Sequence, residues 1–176
     1  MLRRNRGIQT LTLCATLLFL GASAQAQPWG QLTNDHPIVI DHLIHFHDGL
    51  ANHVTTRNAA DPEHADSRQQ GAMRVFGMTP GGYQTMGVIL ASAKVQLDAV
   101  RNSQSQHVSG IASGAALSAS RPALNDFYQR QLAILRRVPV DLKAQLAPAD
   151  WAGLQAFMAA ELTGKIQVAP VNAVRK

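Results

Sequence analysis

The sequence predicts an all-α fold, a helical bundle or hairpin-type array of about five helices. Apolar residues recur at spacings of three and four over long stretches, and no segment alternates for long enough to read as a strand. Prolines stand where helices would begin, at Pro37, Pro62, Pro80, Pro122 and Pro148.

Asn34 or Asp35 can cap a first helix in which Val39, Leu43, Phe46, Leu50 and Val54 form the apolar arc, ending near Thr56. Asp61-Pro62-Glu63 supplies a fresh cap and first turn, and Gly77 ends the second helix after Phe76. Thr79 caps a long third helix. Its Tyr83, Met86, Leu90, Ala93, Leu97 and Val100 follow a heptad seam that a monomer or a homodimer could bury. Past His107 the stretch SGIASGAALSAS reads as a flexible connection, with an alanine-rich helical segment as the alternative. Ser120 and Pro122 open a fourth helix carrying Leu124, Phe127, Tyr128, Leu132, Leu135 and Val138, which Pro139 should stop; one short turn then covers Asp141 to Leu146. Pro148 starts the last helix, with Trp151, Leu154, Phe157, Met158 and Leu162 inward and Gly164 as its end.

The N-terminus has basic, apolar and small-residue regions in the order of a secretory signal peptide, assigned to residues 1–26. A single helical domain over 27–164 and a loose tail over 165–176 complete the expected organisation. The expected location is the periplasm or the secreted fraction. The apolar run is about half the ~20 residues of a spanning helix and no second run follows, so stable membrane insertion is not expected. Cys14, the only cysteine, leaves with the signal, and with it any disulfide or thiolate ligand.

Sixteen Lys and Arg face eleven Asp and Glu; removing Arg3, Arg4 and Arg6 leaves 13 against 11, a net charge of +2. That is too little to point to nucleic acid. The distribution says more. Residues 27–66 hold six acids and one base, whereas 67–176 hold five acids and twelve bases.

Four of the seven histidines fall between Ile38 and Val54. At 100° per residue Asp41, His45, Asp48 and Asn52 form a narrow polar stripe, with His42 and His53 beside it and His47 on the opposite apolar flank, as a core-edge histidine. Asp41, His42, His45 and Asp48 could hold zinc or copper, because imidazole and carboxylate suit those ions; His64 or His107 would have to close the site. The other reading is a solvated helix face, with Asp41 and His45 an ordinary i,i+4 pair. Several imidazoles close together could also sense acid. Nucleophile-elbow, zinc-protease and phosphate-loop patterns are missing from the sequence, so no enzyme is expected, and no cofactor other than such a metal.

Met78-Thr79-Pro80-Gly81-Gly82-Tyr83 and Leu146-Ala147-Pro148-Ala149-Asp150-Trp151 echo each other as helix starts. With the all-helical, cysteine-free mature chain, this pair resembles the LTxxQ family of periplasmic chaperones and stress adaptors, the Spy/CpxP group. The glutamine position of that motif is Gly82 in one copy and Asp150 in the other. The resemblance implies a dimeric helical cradle that holds a protein or peptide client on a basic, partly apolar face. Arg130, Arg136, Arg137 and Lys143 are the residues here that would supply it; the plainer account makes them the solvated side of ordinary helices.

Overall fold

Helices α1 (Pro37–Ala60), α2 (Ala65–Phe76), α3 (Pro80–Ser109), α4 (Gly114–Gln145) and α5 (Pro148–Phe157) follow one another in a computed structural model that describes residues 32–111, 114–163 and 165–166. A 3-10 turn (Pro62–His64) precedes α2, and a π-helical segment (Met158–Thr163) continues α5. Among the described residues there is no strand, and the fold is all-α. The expected signal peptide, Gly164 and all of the tail beyond Ile166 lie outside the described residues.

The long helix α1 packs against α2, α3, α4 and the π-helical segment, and this explains which of its residues are buried. Its covered arc is Val39, Ile40, Leu43, Ile44 and His47, wider than a single-sided stripe and rotated from the expected one. Phe46, expected inward, is 40% exposed, although its ring still meets Phe76 and Phe157 at centroid distances of 5.9 and 5.1 Å. Phe76 is fully covered and also touches Tyr83 and Phe157. Burial of one such ring contributes about 1.5–3 kcal/mol.

The α3 seam is satisfied within the chain: Met86, Leu90, Ala93 and Leu97 are buried against neighbouring helices, with α4 the most extensive partner. Beyond Leu97 the α3–α4 hairpin changes character. No described residue from Asp98 to Ile134 is buried, and Leu135 is where the α4 core begins.

Three boundaries differ from the sequence expectation. The α1 cap is His36, whose Nδ1 accepts from the Ile38 N–H at 3.2 Å. Asn34 instead ties the chain to the C-terminal helix, donating to the Gln155 carbonyl and side chain and accepting from the Thr163 hydroxyl. Helix α1 also runs four residues past Thr56, and Arg68 clamps its end by donating to Asn58 Oδ1 at 2.9 Å and the Asp61 carbonyl at 2.7 Å. Finally, α4 starts at Gly114, inside the stretch read as a connection, and passes through both Pro122 and Pro139. An interior proline costs about 3 kcal/mol. Burial of Leu135, Val138, Leu142 and Leu146 on both sides of Pro139 offsets it.

The two helix starts that echo each other in sequence meet in space. Asp150, only 4% exposed, accepts from the Thr79 N–H at 2.7 Å and the Thr79 hydroxyl at 2.9 Å, while Thr79 Oγ1 accepts from the Gly82 N–H. The carboxylate of the second start therefore holds the Thr79 cap of the first helix in place. A Cβ at Gly82 would overlap that carboxylate, so the two motif positions are complementary in size. Beside this contact, a Cβ at Gly153 would meet the Gly77 carbonyl, where Gly77 ends α2 at φ 63°.

Candidate functional site

The histidine-rich face of α1 looks onto α3, and α3 brings cations to it. Arg101 donates from Nη2 to Asp41 Oδ1 at 2.7 Å, and its Nη1 lies 3.2 Å from His45 Nε2. Lys94 sits 3.9 Å from Asp48 and donates to Asp98 at 2.6 Å; that hydrogen bond, followed by the Asp98 charge, raises the lysine pKa above its ordinary value. Asp41 and Asp48 are seven residues apart, as are Lys94 and Arg101, and antiparallel packing lays one pair on the other.

The candidate metal ligands are thus distributed. Asp41 and His45 share one guanidinium, and Asp48 is one step along at Lys94. His42 turns back to the Ile38 carbonyl, 2.8 Å from its Nδ1. His64 pairs with Asp61 at 3.0 Å, and His107 packs on Phe127, so neither reaches the stripe. Among the described residues no three His, Cys, Asp or Glu side chains are grouped to hold a metal ion. His47 is buried beside Phe76, Tyr83 and Gly87, and burial lowers its pKa below 6.5 against a smaller opposing effect of Asp48.

The four α4 cations expected to hold a client, Arg130, Arg136, Arg137 and Lys143, separate into two faces. Arg130 pairs with Asp126 and lies over the Phe127 ring, and Arg137 donates to Asp141 at 3.1 Å. These are i,i+4 pairs on exposed helix surface, each worth a few tenths of a kcal/mol, about 0.3–0.5. Arg136 and Lys143, seven residues apart, face the other way. They line a groove with Pro139 and Val140, closed by Trp151 of α5 and by the segment Leu32–Asp35. Among the described residues neither cation has a carboxylate within ion-pair distance, and Val140 is 65% exposed.

The groove wall is fixed. Asn34, through its bonds to Gln155 and Thr163, pins residues 32–35 across α5. Asp35 stands at the rim, and a hydrogen bond from the Thr33 side chain is the main cause of its lowered pKa. The groove therefore carries two cations, one carboxylate and a partly buried indole, an arrangement that suits a ligand combining apolar and anionic groups.

The sequence reading did not place Trp151 beside the α4 cations, nor Lys94 and Arg101 on the α1 stripe. The matching seven-residue spacings of 41/48 and 94/101 are the signal that could have found the second. The chain matches no family model, no curated protein and no solved structure.

Proposed function

We propose that the protein is an exported, non-enzymatic helical binding protein, a chaperone or stress adaptor, that takes peptide or unfolded-protein segments in the groove between α4, α5 and residues 32–35. The observation that carries this reading is the pairing pattern on α4. Arg137 and Arg130 are neutralised by carboxylates on their own helix, whereas Arg136 and Lys143 flank exposed apolar surface with no acidic partner among the described residues. Cations left beside apolar surface suit a surface that is covered when a ligand arrives.

The test is aggregation suppression with an unfolded client at stoichiometric ratio. The mature protein is expected to suppress it, Arg136→Gln/Lys143→Gln to lose most of that effect, and Arg130→Gln/Arg137→Gln to keep it. A wild-type protein that fails to suppress aggregation sinks the proposal. Export is checked separately by N-terminal sequencing of the protein recovered from the periplasm or medium, with the chain expected to begin near Gln25 or Gln27.

A further inference from the structure

We infer that the groove selects extended segments bearing two carboxylates three residues apart, with apolar residues between them. The inference rests on the reading of the groove as a client site and adds the ligand chemistry.

Arg136 and Lys143 stand seven helical positions apart, an axial distance of roughly 10 Å at 1.5 Å per residue. A polyproline II segment repeats its facing side every three residues and rises about 3.1 Å per residue, so side chains at i and i+3 lie on one side, about 9 Å apart. A β-strand puts i and i+3 on opposite faces and fits less well. Polyproline II is also a major conformer of unfolded chains and docks on aromatic-lined grooves, which Trp151 and Pro139 provide here. Pro139 and Val140 fall between the two cations in sequence, so apolar residues between the ligand's carboxylates would rest on them.

The segments flanking the described fold, residues 1–31 and 164–176, do not supply such a ligand. They contain no Asp or Glu, and their charged side chains are all basic. Charge complementarity therefore points to another molecule. Asp35 makes the groove net +1 rather than +2, counting Arg136 and Lys143 against it. It should disfavour a third carboxylate at the rim.

The experiment measures fluorescence anisotropy of labelled twelve-residue peptides on the mature protein. One peptide carries Asp-Val-Pro-Asp, a second Asn-Val-Pro-Asn, and a third places its two aspartates next to each other. The first is expected to bind about tenfold more tightly than the second, as charge-assisted hydrogen bonds allow, and more tightly than the third. That preference should weaken with salt, vanish in Arg136→Gln/Lys143→Gln at unchanged helicity, and strengthen in Asp35→Asn. Equal affinity for the acidic and neutral peptides overturns the inference while leaving the client reading standing. An acidic preference that survives the double variant overturns it by placing the site elsewhere. Self-association in sedimentation that the double variant abolishes also overturns it, since a second copy would then occupy the groove. Peptides that do not bind at all, with client protection unchanged in the double variant, remove both readings.

Discussion

The α1–α3 seam and the α4–α5 groove are both built from charges seven residues apart, and they use them in opposite ways. In the seam, Asp41 and Asp48 meet Arg101 and Lys94, so the charges are consumed in holding two helices in register. In the groove, Arg136 and Lys143 meet no such counterpart among the described residues and stand beside exposed apolar surface. The same spacing on a helix is structural where the neighbouring helix answers it and available to a ligand where it does not. Asp150 extends the first case into the core: its carboxylate is spent on Thr79 at the start of α3.

The sharpest way to break this contrast is at the clasp between the two helix starts. Gly153→Ala would force a methyl group onto the Gly77 carbonyl, and both neighbours are backbone, so a loss of about 3 kcal/mol or more is expected in denaturant unfolding. Asp150→Ala leaves the Thr79 N–H and hydroxyl without their partner and should cost about 2–4 kcal/mol. Unchanged stability in both would mean that the clasp does not hold α5 to α3.

His47 tests whether the α1 histidines act from the core or from the surface. Its folded-state pKa is lowered, chiefly by burial, so below its ordinary value of 6.5 the unfolded chain binds the proton more readily. The contribution is therefore intact above pH 6.5, declines by up to about 1.4 kcal/mol per pH unit below it, and levels off once the folded histidine titrates. Unfolding followed from pH 7.5 to 5.5 should show this slope, and His47→Gln should flatten it. A slope retained in His47→Gln would shift the acid response to the exposed imidazoles.

How much of this was legible in the sequence depends on whether the deciding information was local. The α3 seam, the Thr79 cap and the Gly77 stop were readable because each is set within one or two turns. The arc of α1 was misjudged because periodicity shows one apolar face, whereas α1 is covered by four partners and buries Ile40 and Ile44 as well; His47, expected at the core edge, is buried there. Helix α4 crosses Pro139 because tertiary burial of Leu135, Val138 and Leu142 outweighs a local penalty. Asp150 lies in the first turn of its own helix, and nothing local shows that its carboxylate bonds the start of α3, seventy-one residues away in sequence. The residues named for metal were legible as a stripe, and what covers the stripe was not.

Smaller effects sharpen the seam. Arg101→Ala should cost no more than about 1 kcal/mol, since both partners keep some solvent contact. It should also uncover Asp41 and His45. Zinc titrated into Arg101→Ala is expected to give tighter binding than in the wild-type protein, and His45→Ala/Asp48→Ala to abolish it. Equal zinc affinity with and without Arg101 would show that the guanidinium does not compete for these groups.

The smallest expected change in stability falls where the largest change in binding is expected. Arg136 and Lys143 make no ion pair with a described residue, so replacing both by glutamine should move the unfolding free energy by less than about 0.5 kcal/mol. Removing two like charges from one helix face relieves little repulsion, because at a separation of roughly 10 Å in solvent it is screened. Trp151, in the groove wall, gives the readout: in a Trp29→Phe background its emission should respond to an acidic peptide in the parent and not in Arg136→Gln/Lys143→Gln. A double variant that loses several kcal/mol would show that these cations are as structural as Arg101, and the contrast between seam and groove would collapse.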